Sequence, residues 1–271
     1  MLEDAQVGVS REWCSIGSGL QHLGGVEAEP WQAIEVSDPA VPEQLLEDKA
    51  LHTSAVVANC AMNRERQLAG VNSYTRELDF NPLDSLTAAV AGQGDASWLD
   101  LCCGTGRALI QAAEHLRHTG LLERVALVGV DLIDAFDPIP SPPAVTLLAT
   151  SATAWTANTS FDLITCVHGL HYVGDKLAVL ARAAQWLTPT GRFVADLDLA
   201  SIRLADGRPA GRRLTARLRA AGLNYGNRRR RIACIGPREL RLPYTYLGAD
   251  DHAGPNYTGQ PAVDSYYCEH S

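Results

Sequence analysis

Two clusters of residues in this 271-residue chain carry groups able to hold a small ligand and react with it. The first is Asp100-Leu-Cys-Cys-Gly-Thr-Gly106, a small-residue turn between an apolar run and a helix-compatible segment that begins at Arg107. Gly104 and Gly106 let the backbone approach a ligand closely, and the free N–H groups of a helix start favour a negatively charged group there. A second apolar run, Val125-Ala-Leu-Val-Gly-Val-Asp131, also ends in an acid, placed to accept hydrogen bonds from ribose hydroxyls. The other cluster is His168-Gly-Leu-His-Tyr172, where two imidazoles and a phenol follow the apolar run Phe161 to Val167. His171 is the candidate general base because an ordinary imidazole titrates near working pH. Tyr172 is its companion and His168 stands beside them, one of the two histidines being structural. Histidines at i and i+3 suit a metal pair, but no third ligand lies nearby in the sequence, so no metal is expected.

Alternating strand and helix patterns position these clusters. Strands are expected at Trp98–Leu101, Val125–Asp131, Val145–Ala149, Phe161–Val167 and Arg192–Asp198, with helices after Arg107, from Lys176 to Leu187 and from Arg212 to Gly222. That alternation specifies a parallel sheet covered on both faces. Thr188-Pro-Thr-Gly191 is expected to turn into the fifth strand. Arg230–Ile235 and Glu239–Tyr246 read as two closing strands. Upstream, a helical pattern runs from Pro42 through Met62 to a glycine stop at Gly70, a second helix starts at Asn72 or Ser73, and Asn81-Pro82 opens a third running to Gly92. Residues 1–41, acidic and rich in Gly and Pro, are expected to be a loose or draped extension, 42–92 a helical cap, 93–247 the α/β core and 248–271 a polar, aromatic tail that folds back onto the site.

With no Lys-Ser/Thr after its glycines, the Asp100–Gly106 turn is not a phosphate-cradling loop, and its spacing differs from Gly-x-Gly-x-x-Gly. It resembles the S-adenosylmethionine (SAM) motif of class I methyltransferases, which commonly reads Asp-Leu-Gly-Cys-Gly-Thr-Gly. Cys102 stands where that motif has its first glycine, which leaves less clearance under the methionine moiety. The resemblance covers roughly residues 98–247. It implies a doubly wound, seven-stranded, mostly parallel α/β sheet whose last strand inserts antiparallel, with a helical cap before the first strand. It also implies SAM as cofactor, held by Asp100, Cys102, Gly104, Gly106, Asp131 and Leu132, by Ser151 and Ala152 where the family often has an acid at the adenine, and by Val167 at the end of the fourth strand. From the cap, Arg64, Arg66, Asn72 and Tyr74 are candidates for the SAM carboxylate or the substrate, an Arg fork suiting a carboxylate and a Tyr face a sulfonium. Trp155 covers the adenine or joins the core. The expected activity is methyl transfer to oxygen or nitrogen of a small molecule. The alternatives are a SAM-cyclising lyase of the azetidine-2-carboxylate synthase type, releasing methylthioadenosine, and a non-catalytic SAM-binding protein.

Composition narrows the partners. Apolar residues make up 46% and charged residues 20%, a globular balance. A net charge of −8 argues against nucleic-acid binding, and the Asp/Asn-Pro-Pro-Tyr/Phe signature of nucleic-acid amino-methylating enzymes is missing. Arg228-Arg-Arg-Arg231 is expected to be a solvated strand with paired charges. Asp196 and Asp198 share a strand face and are expected to pair with Arg203, the other readings being a substrate amine or proton transfer. Seven scattered cysteines suit free thiols in a reducing cytoplasm, and neither a secretion signal nor a membrane span is expected.

Overall fold

The computed structural model describes residues 44–58, 65–140 and 144–270. Its centre is a seven-stranded sheet in the order β3-β2-β1-β4-β5-β8-β7. The strands are β1 (Ala96–Leu101), β2 (Val125–Asp131), β3 (Thr146–Ala149), β4 (Phe161–Cys166), β5 (Leu187–Asp196), β7 (Asn224–Gly226) and β8 (Arg231–Ile235). Strands β1 to β5 run parallel, and β8 inserts antiparallel between β5 and β7. The fold is that of the class I methyltransferases.

Helices cover both faces, as strands buried on both sides demand. On one face α4 (Pro82–Gln93) and α5 (Arg107–His118) bury Leu86, Val90, Leu109, Ala112 and Leu116 against Trp98 and Leu127. On the other, α6 (Lys176–Gln185) and α7 (Gly211–Ala220) bury Leu177, Leu180, Leu214 and Leu218 against Leu99, Ile164 and Phe193. Local chemistry sets the helix starts. Asn81 accepts the Leu83 N–H ahead of Pro82, which cannot donate, and Asp175 accepts the Ala178 N–H to start α6.

Several expected boundaries move. The helix expected from Pro42 to Gly70 is, among the described residues, two single turns, α1 (Asp48–Leu51) and α2 (Ala55–Ala58). Between them the Ser54 hydroxyl accepts the Val57 N–H, a local bond that restarts the helix instead of continuing it. Residues 59–64 lie outside the described residues. Gln67 instead bridges to Ser73, which caps α3 (Tyr74–Leu78). Glu239–Tyr246 does not close the main sheet; β7 does, a three-residue strand too short to show a pattern.

The break expected at 247 falls inside β9 (Tyr244–Asp250), which joins β6 (Ile202–Leu204) and β10 (Asp264–Glu269) in a second sheet with β10 in the middle. Buried Lys176 fastens this sheet to the core. Its Nζ donates to Val173 O (2.9 Å), Val263 O (2.8 Å) and Ser265 Oγ (2.7 Å). Next to it, Tyr267 Oη donates to Asp175 Oδ1 (3.1 Å) and accepts the Leu177 N–H (3.1 Å).

Candidate active site

The β1–α5 turn is built on buried Asp100. Its register partner on β4 is Thr165, whose hydroxyl donates to Asp100 Oδ1 at 2.6 Å, and Tyr74 donates to Oδ2 at 2.6 Å. Burial raises the Asp100 carboxyl to about 7, against the pull of those two hydrogen bonds. Burial and the neighbouring Asp100 push the Tyr74 phenol well up. Neither residue is among those lining the neighbouring cleft: Asp100 holds the turn from inside, and Tyr74 spends its hydroxyl there with its ring edge-on to Trp98.

Beyond Asp100 the chain bends through positive φ at Cys102 (57°), Gly104 (62°) and Gly106 (74°). Gly106 caps α5, and a Cβ there would lie 2.8 Å from Leu147 Cδ1. It therefore packs against β3 and is not among the residues lining the cleft. Cys102 faces Gly169 at the β4 end, where an added Cβ would come within 2.3 Å of Cys102 Cβ and 2.9 Å of Cys166 Sγ. The hydrogen-bonding contact with Cys166, then burial, push the Cys102 thiol well up, so it is a neutral filler.

A cleft open to solvent at its mouth lies at the carboxyl ends of β1, β2 and β4. The structure brings Cys102, Gly104, Asp131, Leu132, Ser151, Ala152, Val167 and Tyr172 together in its lining. His52, Val57 and Val173 complete the walls, and nothing in the sequence singled them out. Asp131 Oδ2 accepts the Gly104 N–H at 2.8 Å and Oδ1 the Ile133 N–H at 3.1 Å, so the carboxylate is fixed in place. Trp155 packs edge-on against Trp186 (5.3 Å) instead of lining the cleft. Arg64 lies outside the described residues. Asn72 is exposed, and Arg66 is buried on Glu77 at 3.0 Å.

The two histidines sit behind this wall and do not line the cleft. His168 Nδ1 and His171 Nε2 are 3.5 Å apart. His168 Nε2 lies 3.2 Å from Glu77 Oε2 and 4.0 Å from Asp196 Oδ2, while the His168 N–H donates to Asp196 Oδ2 at 3.2 Å. The hydrogen bond with His168 pulls Glu77 down to about 2. Burial raises Asp196, opposed by His168 and Arg231. His171, 1% exposed, is pushed down to about 3, first by burial and then by His168, Lys176 and Arg230. It is therefore a neutral imidazole over a wide range, where the sequence alone suggests one that titrates near working pH. Tyr257 covers the pair, 5.3 Å from His171 and 6.4 Å from His168, with the Arg230 guanidinium 4.3 Å above its ring.

Glu77, His168 and Asp196 place three ligand atoms within 4.8 Å of one another, the third donor that the spacing of the histidines lacked. Arg66 and Arg231 already stand against the two carboxylates, and a divalent ion would set two further charges between those guanidiniums. The arginine run lies at the turn before β8, with only Arg231 in the strand. Three of its charges are paired, Arg229 and Arg231 with Asp79 and Arg230 with Asp198 (3.0 Å). Arg203 pairs with Asp264 (2.7 Å) and not with Asp196 or Asp198, because β6 lies beside β10. Glu77 gave no signal in sequence, being remote from His168. Thr165 did: a hydroxyl in a buried strand needs a partner.

A family model described as a methyltransferase domain matches residues 72–240. The chain belongs to that family, and S-adenosylmethionine is the cofactor that goes with it. A search of curated proteins finds no match to the chain. Among solved structures it is similar to YjhP of E. coli, at 20% identity over 42% of this chain and 46% of that one, with a TM-score of 0.32. It is also similar to the N-methyltransferase NodS of Bradyrhizobium japonicum in complex with S-adenosyl-L-homocysteine (17%, 65% and 95%, TM-score 0.37). An amino pentose methyltransferase of Micromonospora echinaspora involved in calicheamicin biosynthesis also matches (23%, 53% and 56%, TM-score 0.34). The chain thus spans about half the length of two of these three.

Proposed function

We propose that the protein transfers a methyl group from SAM to an oxygen or nitrogen of a small molecule. The observation that carries this reading is the cleft in which a fixed Asp131, the Cys102–Gly104 turn and Ser151–Ala152 converge, with Tyr172 in its wall and two imidazoles directly behind. The donor set fits the cofactor: a carboxylate fixed by two backbone N–H groups suits a ribose diol, and Leu132, Ile133, Val167 and Val173 offer apolar walls. When bound, SAM supplies an electrophilic methyl carbon on a sulfonium.

The chain's own residues do the rest. Asp131 orients the ribose, Ser151 and the Ala152 backbone stand at the adenine, and Val57, Leu132 and Val173 exclude water from the reacting atoms. Tyr172 bounds the acceptor, and His171 takes its proton as the new bond forms. The net charge of −8 and the paired arginines favour a small acceptor over a nucleic acid. No helix among the described residues is long and apolar enough to cross a membrane, and we place the protein in the cytoplasm on its unpaired cysteines. Residues 44–92 serve as the cap of this reading, through Val57 in the cleft and Glu77 at His168.

Two measurements test it. Incubation with SAM alone should leave SAM intact; methylthioadenosine with a new amino acid would move the chemistry to the cyclising lyase. In a screen of small hydroxyl and amine acceptors, His171→Ala should keep SAM affinity and lower turnover by about 10²–10⁴-fold. Full turnover in that variant would return His171 to a structural role.

A further inference from the structure

The turn after β3 forms part of the cleft wall, yet its own sheet braces it from one side only. β3 is the edge strand and pairs with β2 alone. The Thr150 N–H donates to Asp131 O at 2.7 Å, and the Ala154 and Trp155 N–H groups donate to Ser151 O at 3.0 and 2.9 Å. Those bonds shape the turn and leave two of its carbonyls, Ala152 O and Trp155 O, for another element. Arg182 from α6 serves both: Nη2 donates to Ala152 O at 2.8 Å and Nη1 to Trp155 O at 3.2 Å. The Trp155 ring stands edge-on to Trp186, the residue that ends α6, and the Arg182 guanidinium lies 5.8 Å from the Trp186 ring centre. A planar fork meets two carbonyls at once, which an ammonium on a single nitrogen does not.

We propose that Arg182 is a positioning residue for the base of the cofactor, acting through Ala152 and Trp155. The inference rests on the methyl-transfer reading, in which Ser151 and the Ala152 backbone stand at the adenine. Ser151, Ala152 and Thr153 line the cleft, while Arg182 reaches the turn from behind, where it borders a second, solvent-open depression with Asp48, Asp175 and Tyr246. Burial lowers the guanidinium, and Asp175 and Asp48 oppose that pull. The Ser151 and Thr153 hydroxyls are 2.8 Å apart, and the Ser151 hydroxyl accepts the Thr153 N–H at 3.2 Å, so both oxygens move with the turn. Recognition by hydrogen bonds needs its groups held to within about 0.5 Å. A turn anchored at one edge strand drifts by more than that unless a second element holds it, and Arg182 is that hold. Hypoxanthine replaces the exocyclic donor amine of adenine by an acceptor carbonyl, so a fixed turn tells the two bases apart.

Calorimetry on the full chain with two probes, S-adenosyl-L-homocysteine and S-inosyl-L-homocysteine, tests this. The unaltered protein should bind the adenine form at least about tenfold more tightly. Arg182→Met keeps an unbranched stem and removes the fork, and water from the open depression takes the two carbonyls. It should lose about tenfold in affinity for the adenine form and less than about twofold for the hypoxanthine form, so that the preference closes. Arg182→Lys should lose most of the preference as well, since one nitrogen does not hold both carbonyls in the same geometry. That variant decides if Arg182→Met fails to fold. An equal loss for both ligands would make Arg182 structural only. A preference left intact in a folded variant, or none in the unaltered protein, would equally overturn its role. Each of these outcomes needs S-adenosyl-L-homocysteine to bind the unaltered protein; no binding there sinks methyl transfer itself.

Discussion

The ends of β1 and β4 lie side by side, yet they are assembled by different means. At the β1 end the backbone does the work: three alternate positive-φ positions, Cys102, Gly104 and Gly106, and a carboxylate, Asp131, held by two backbone N–H groups, one from the turn and one from the loop after β2. At the β4 end the chain also bends through a positive φ, at His168 (57°), but side chains from distant elements complete it. Glu77 comes from α3, Asp196 from β5 and Tyr257 from the loop before β10. The proposed cofactor half is thus made of local geometry, which tolerates few substitutions, and the proposed acceptor half of tertiary contacts, which can be exchanged one at a time.

The largest expected effect breaks the cofactor half. Asp131→Ala removes the acceptor of the Gly104 and Ile133 N–H groups together with the proposed ribose contact. Loss of charged hydrogen bonds of this kind predicts a fall in S-adenosyl-L-homocysteine affinity of roughly 100-fold by calorimetry. Unchanged affinity would remove Asp131 from the ribose. A smaller effect is expected where the two halves touch. Gly169→Ala puts a Cβ within 2.3 Å of Cys102 Cβ, where neither the turn nor β4 has room to retreat. Overpacking there predicts a loss of about 1–3 kcal/mol in urea unfolding. Gly169→Ala combined with Cys102→Gly should recover most of that loss; no recovery would show that the two strand ends are not in register through this contact.

This division also explains what was legible in sequence. The parallel sheet, its helices and the cleft-lining Cys102, Gly104 and Asp131 follow from apolar periodicity and from glycines in one contiguous motif, both local signals. The ring chemistry of Tyr74 is visible in sequence, whereas the hydroxyl it spends on Asp100 is a tertiary fact. His171 reads as an ordinary imidazole in sequence because burial, which pushes it down to about 3, leaves no mark on its neighbours in the chain. Glu77 and Tyr257 were illegible as partners for the same reason. The β10 strand is hidden in a stretch that reads as a polar tail, since its buried run, Ser265 to Tyr267, is short and shows no alternation, and its partners, β6 and β9, lie on either side in space.

The smallest expected effect sharpens the acceptor half by asking what holds its outer wall. The Val263 N–H donates to His171 O at 2.9 Å, and Val263 O accepts from Lys176 Nζ at 2.8 Å, so one lysine ties the C-terminal segment to the loop that carries the histidines. Burial pushes Lys176 down to about 7 from its ordinary 10.5, against the pull of Asp264 and Asp198. A lowered lysine binds its proton less well folded than unfolded. Between pH 7 and 10.5 the unfolded chain therefore holds the extra proton, and folding stability rises with pH through that window. The slope is at most about 1.4 kcal/mol per pH unit. Lys176→Met keeps the length, removes the titration and leaves three acceptors without their donor, so it is less stable at pH 9.5 by about 1–3 kcal/mol. Urea unfolding of both proteins at pH 7 and 9.5 isolates this lysine, because every other titrating group is common to the two and cancels in the difference. The deficit of Lys176→Met should widen from pH 7 to 9.5. A deficit that stays constant would mean that Lys176 is charged throughout and holds the segment as an ordinary ammonium.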